Sequence, residues 1–295
     1  MLVLCVMPLF FSSNIIFGRN VVDDVEPFTL AFLRWSLTFL TLLPFAWKPL
    51  KAMRHEIIQL KWRLVAMGFL GMWICGALVY LALKYTTATN GTLIYTSSPV
   101  LIIVIEWLFR GRKAGWRESL GIFAAFVGVV IIVVRGTWSN LTDLEFNLGD
   151  LIFVGAAIAW AIYSVGLRSP VFSTFGTLPL FTLIAGAGAL TLAPFAIVEM
   201  VALHHFPNTL FAWQNILGIV VFASLLAFST FQYGVSHLGA SLAGVYMYLL
   251  PVYGVTLAVL FLNETLALFH LWGILLVIGG VVVATAPLSL FKRDG

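Results

Sequence analysis

The chain has 295 residues, 61% of them hydrophobic and 9% charged, with a mean hydropathy of +1.05. Soluble domains carry about 25% charged residues, so water is not this chain's main solvent and a soluble enzyme is all but excluded. The net charge of +4 points to no nucleic-acid partner, because the Lys and Arg residues cluster in short segments between apolar runs, which is a topology signal. Cys5 and Cys75 lie inside apolar runs, and no Cys/His cluster has metal-ligand spacing; no disulfide, metal or cofactor is expected.

A window of about 19 residues finds ten apolar runs, near 2–19, 28–47, 62–84, 89–109, 116–134, 148–168, 176–200, 211–236, 240–262 and 268–290. Each can cross about 30 Å of hydrocarbon as a helix. The first has no basic n-region and is interrupted by Ser12, Ser13 and Asn14, so it reads as a span and not as a signal peptide. Between spans two and three fall Lys48, Lys51, Arg54, Lys61 and Arg63, and between four and five Arg110, Arg112, Lys113 and Arg117. With Arg168, Lys292 and Arg293 they put twelve basic residues on one side, against Arg19, Lys84 and Arg135 on the other. Basic residues are retained in the cytoplasm, so both termini are expected inside. Trp47, Trp62, Trp107, Trp116, Trp138 and Trp213 fall at expected interfaces, as an aromatic belt would. The polar stretch 136–147 divides the chain into residues 1–135 and 148–295.

A shift of 152 lays Pro99-Val100 on Pro251-Val252, Leu108-Phe109 on Leu260-Phe261, Gly121-Ile122 on Gly273-Ile274 and Gly128-Val129-Val130 on Gly280-Val281-Val282. A shift of 149 lays Asn14 on Tyr163 and Arg19 on Arg168. Matches at fixed spacing point to a duplication of five spans, and an odd number inverts the second copy, as in alternating-access transporters.

These residues resemble the EamA-type family of the drug/metabolite transporter superfamily. The similarity rests on Leu262-Asn263-Glu264 before the Gly-rich span Gly273 to Val281, the Arg34-Trp35 pair, Tyr95 to Pro99, and Trp160-Ala161-Ile162-Tyr163. The first half carries Arg112 where the second carries Glu264, so the Glu motif occurs once. Within the family the chain looks most like the bacterial YddG-type amino-acid exporters. The resemblance implies an all-α polytopic membrane protein of ten transmembrane helices, two inverted five-helix repeats around a central cavity. It implies no catalysis, and export of amino acids, aromatic ones included, across the bacterial inner membrane.

Polar side chains in hydrocarbon are candidates for a substrate path or for glue between helices. Arg34, about two turns into span two, could snorkel, pair with helix carbonyls or bind a substrate carboxylate. Thr92, Tyr95, Thr96 and Pro99 share one helical face by their i, i+3, i+4, i+7 spacing; Gly244, Met247, Tyr248 and Pro251 are their counterparts, and the two faces are expected to line one cavity. Asn14 and Tyr163 sit mid-span, with Trp160 one turn before Tyr163. Tyr80 corresponds to Gln232. Glu106 is expected to pair with Arg110 at i,i+4, and Gly121, Ala124, Ala125, Gly128, Gly280 and Ala284 form small-residue faces for scaffold or dimer contact. Aromatic faces with few amides suit a zwitterion with an apolar side chain. An apolar cation or drug would seek a buried carboxylate, a nucleotide sugar more basic residues. A structural membrane subunit is the alternative class, the lipid bilayer a partner in every case, and monomer and homodimer stay open.

Overall fold

The computed structural model describes residues 2–21, 24–82, 84–86, 91, 94–95, 97–111, 114–133, 147–203, 206–262 and 267–285, which are helical throughout their regular structure. The helices are α1 Leu2–Arg19, α2 Pro27–Ala52, α3 Arg54–Ala82, α4 Ser98–Arg110, α5 Trp116–Val133, α6 Leu148–Gly166, α7 Thr177–Leu203, α8 Leu210–Leu238, α9 at 240–262 and α10 Leu268–Thr285. Among the described residues, eight segments are long and apolar enough to cross a membrane. Helices follow from the solvent: in hydrocarbon every backbone N–H and C=O must be satisfied within its own segment. Large apolar side chains such as Phe45, Phe123, Leu190 and Leu275 cover the outside, and Trp47, Trp62, Trp107 and Trp116 are exposed, as interfacial anchors would be.

Local sequence sets the ends. Pro27 and Pro99 stand in first turns, where a missing N–H costs nothing. Asn147 and Asp150 form a capping box on α6. Gly239, at φ +96°, makes the sharp turn from α8 into α9. The basic segment expected to be a loop between spans two and three is instead helical, since α2 runs to Ala52 and α3 starts at Arg54. Lys and Arg are good helix formers, and the helices simply project beyond their apolar stretch. Inside α3 and α8 the winding loosens to π-helix over Phe69–Leu78 and Ile219–Leu226. At the shift of 152 these two segments overlap.

The packing is reciprocal. α1 lies on α8 and α9, α6 on α3 and α4, α2 on α7, and α5 on α10. One end of the bundle, the Asn20 end, is tied by Asn20 Nδ2 donating to Asn215 Oδ1 (3.0 Å) and by the Lys84–Glu26 ion pair. There the Glu199 carboxylate of α7 also accepts from the backbone N–H of Phe28 and Thr29 (3.2 and 2.7 Å) and from the Thr29 hydroxyl, capping α2 from across the bundle. At the opposite, Arg168 end, Ser241 donates to the buried Glu106 carboxylate and Arg110 reaches the Val165 carbonyl at 2.8 Å.

α5 and α10 run antiparallel with backbone on backbone. A Cβ on Gly121 would come within 2.5 Å of Gly280 O, and one on Gly128 within 2.7 Å of Gly273 O. The small faces expected to serve as scaffold or as a dimer surface are therefore used inside the chain. A Gly128→Ala substitution is expected to lower stability by about 1–3 kcal/mol, the usual cost of overpacking. Gly155→Ala, where a Cβ meets nothing within 4 Å, serves as the control; equal thermal midpoints of the two variants in detergent would contradict the seam.

Candidate functional site

Arg34, Tyr80, Asn14, Gln232 and Tyr163, among the residues singled out in the sequence, come together between the helices as two small networks joined by aromatic rings. Arg34 does not snorkel: it is 5% exposed, pointing into the bundle. Its Nε donates to Ser224 Oγ (2.6 Å), Nη2 to the Ala223 carbonyl (2.7 Å) and Nη1 to the Tyr80 hydroxyl (3.1 Å). Tyr80 in turn donates to Asn14 Oδ1 at 2.9 Å. Ser224 and Ala223 belong to the π-helical turn of α8, the kind of irregularity that turns carbonyls toward a partner. A buried guanidinium costs several kcal/mol unless its donors are matched; neutral oxygens from α3 and α8 match it here. The guanidinium carbon also lies 4.7 Å from the Trp35 ring centre and 5.8 Å from that of Phe228, within cation–π range.

The second network repeats the first. Gln232 Nε2 donates to the Tyr163 hydroxyl at 3.0 Å, and Gln232 and Tyr163 are the counterparts of Tyr80 and Asn14. Tyr163 is seated by Gly71, where a Cβ would lie 2.7 Å from its ring. Aromatic side chains connect the networks: Trp35 packs edge-on against Phe228 (4.8 Å between centres) and Phe228 edge-on against Trp160 (5.7 Å), while Trp160 lies tilted against Tyr163 (5.5 Å) and Phe231 (4.8 Å). Phe11 of α1 closes the cluster against Trp160 and Phe228. Edge-to-face pairs of this kind fix ring orientation as well as burying area. Trp35 Nε1 and Gln232 Oε1 are buried without a hydrogen-bond partner, which is uncommon in folded interiors.

Beneath Gln232, toward the Arg168 end, a pocket of about 280 Å³ opens between α6, the turn Pro170–Phe172, α7 and α8. Arg168, Ser169, Ser173 and Thr177 stand in its wall. Among the described residues the aromatic rings of Trp160, Phe228 and Phe231 pack on one another beside this space.

Spans four and nine touch each other among the described residues. Gly244 meets Pro99 and Ile102 directly, with a would-be Cβ 3.7 and 2.9 Å from them, because a residue without a side chain lets the proline face close up. Tyr95 packs edge-on to Phe153 at 6.5 Å. Tyr248 is fully buried with its hydroxyl unpartnered, and Pro251 follows a 3-10 turn at Met247–Leu249 that interrupts α9. Thr92 and Thr96 lie outside the described residues, as do Arg112, Trp138 and Glu264. Residues not foreseen as part of the site are Ser224, a lone hydroxyl in an apolar run, and Glu199; both are legible as polar exceptions in their spans. The Ala223 carbonyl is not, because π-winding has no signature in side-chain pattern.

The family model described as "EamA-like transporter family" matches residues 1–134 and 147–286. The chain belongs to the EamA-like transporter family. It is 29% identical to an uncharacterized transporter of Archaeoglobus fulgidus, over 97% of this chain and 96% of that one. It is 29% identical to the uncharacterized transporter YyaM of Bacillus subtilis, over 78% and 75%, and 27% identical to YetK of the same organism, over 92% and 82%. A solved crystal structure shares the fold at TM-score 0.77 and 20% identity, covering 99% of this chain and 98% of that one. This EamA-like protein is thus a multi-pass membrane transporter.

In the Arg34 network, Tyr80→Phe and Ser224→Ala remove two acceptors from one guanidinium. Their effects on stability in detergent are expected to be non-additive by about 0.5 kcal/mol or more; strict additivity would mean that the guanidinium does not couple α3 to α8.

Proposed function

We propose that this transporter is a secondary carrier exporting small metabolites, amino acids and aromatic ones among them, by alternating access. In this reading residues 1–135 and 148–295 are inverted five-helix repeats joined by 136–147, set in a bacterial inner membrane with both termini in the cytoplasm. The observation that carries it is the pair of hydrogen bonds Tyr80–Asn14 and Gln232–Tyr163, which join repeat-related positions at the two ends of one aromatic path. Reciprocal packing of the helices, overlapping π-turns in α3 and α8, and a family match on two stretches of near-equal length favour the same division. The ties at the Asn20 end and the pocket at the Arg168 end suit a carrier resting with its cytoplasmic side accessible.

The lining suits an amino acid: aromatic rings for an apolar side chain, and single amide, phenol and guanidinium groups for a zwitterionic head. A cationic drug is the second reading, favoured by the Glu106 carboxylate buried between α4 and α9.

Purified protein in liposomes is expected to carry labelled phenylalanine and threonine saturably without an imposed proton gradient. Tyr163→Ala should cut that flux about tenfold at equal expression, as loss of a buried aromatic contact worth about 1.5 kcal/mol implies. Unchanged flux would take Tyr163 off the path. Folded protein that moves tetraphenylphosphonium but neither amino acid would transfer the assignment to cations.

A further inference from the structure

The two ends of the bundle treat equivalent helix starts differently. At the Asn20 end the first turn of α2 is met by a carboxylate: Glu199 accepts from Phe28 N, Thr29 N and Thr29 Oγ1. Helix N-termini favour such a group because their first N–H donors are free and the helix dipole is positive there. Aligning the starts of α2 and α7, Pro27 with Thr177, places Thr177 and Leu178 where Pro27 and Phe28 stand, and lays Pro49 on Glu199. The chain therefore has no carboxylate of its own in the equivalent position at the start of α7, and that helix has no acidic residue in its first turn.

What the start of α7 meets instead is the pocket, in whose wall Thr177 stands with Arg168 and Ser173. Arg168 is exposed and forms no ion pair among the described residues. Its guanidinium lies against the bare backbone of Gly239, where a Cβ would fall 2.8 Å from Nη1. At the pocket's inner wall Gln232, 3% exposed, keeps Oε1 unpartnered while its Nε2 is engaged by Tyr163. A guanidinium, a buried acceptor and the apolar Phe172, Phe175 and Leu180 in one lining suit a zwitterion with an apolar side chain. The volume of about 280 Å³ is close to the lower end, about 300 Å³, of small-molecule pockets.

We infer that this pocket is the cytoplasmic head-group site for the carried amino acid: its carboxylate is taken by Arg168 and the first turn of α7, and its ammonium by Gln232 Oε1. The inference rests on the amino-acid reading above and adds to it the orientation of the substrate and the role of Arg168.

The test is displacement of labelled phenylalanine from wild-type, R168Q, R168K and Gln232→Leu protein in nanodiscs of phosphatidylcholine. The unlabelled competitors are phenylalanine, 3-phenylpropionate, which lacks the amine, and phenethylamine, which lacks the carboxylate. R168Q should weaken phenylalanine and 3-phenylpropionate about tenfold, the size of one charge-assisted hydrogen bond, and leave phenethylamine unchanged, with R168K restoring part of the loss. Gln232→Leu should weaken phenylalanine and phenethylamine and spare 3-phenylpropionate. Thermal midpoints establish that each variant is folded. Equal shifts for all three compounds, or none, in folded variants would overturn the inference while leaving the amino-acid reading standing. So would an R168Q effect seen only when phosphatidylglycerol is added, which would assign the pocket to a lipid phosphate. No binding of any compound to folded wild-type protein would remove the reading and the inference together.

Discussion

A guanidinium held away from water by neutral oxygens is the constraint around which the rest of the bundle is arranged. Arg34 is satisfied only if α8 loosens at Ala223 and Ser224, α3 brings Tyr80 into reach, and Trp35 and Phe228 present their faces. The contacts to Ser224, Ala223 and Phe228 tie α2 to a helix of the second half, and Tyr80 ties it to α3 within the first. In a hydrocarbon solvent the alternative, an unmatched charge, is costly enough to enforce all of them together.

From that fixed point the aromatic path follows. Trp35 and Phe228 are committed on one side to the cation and on the other to Trp160, and Trp160 to Tyr163 and Gln232. The path therefore has unequal ends. At one the Tyr80 phenol accepts from Arg34 and donates to the Asn14 amide; at the other the Tyr163–Gln232 pair meets no guanidinium, since Ile184, buried and apolar, stands where α7 would place one.

Much of this was legible in the sequence because hydrocarbon makes secondary structure almost compulsory. Apolar runs placed the helices to within a few residues, and the self-alignment paired Asn14 with Tyr163 and Tyr80 with Gln232 before either hydrogen bond was known. Besides the π-winding at Ala223, three things were not legible. Helix length beyond the apolar stretch is carried by Lys and Arg, which read as loop by hydropathy although they favour helix, so the segment from Lys48 to Lys61 was misjudged. How closely matched faces approach depends on side-chain volume opposite them, and Gly244 lets Ile102 and Pro99 come into contact. Glycine stripes announce close approach without naming the partner, and here it was α10 and not a second chain.

The seam between α5 and α10 has a consequence for how the two halves can diverge. Gly121 abuts Gly280 and Gly128 abuts Gly273, while the shift of 152 makes Gly273 the counterpart of Gly121 and Gly280 that of Gly128. Each glycine thus meets the counterpart of its own neighbour along the stripe. A side chain gained at any one position collides with the backbone of the other half, so no single copy can drift there alone. The four positions form one packing unit, and the flank of the bundle they make admits a larger residue only with a compensating change on the facing helix.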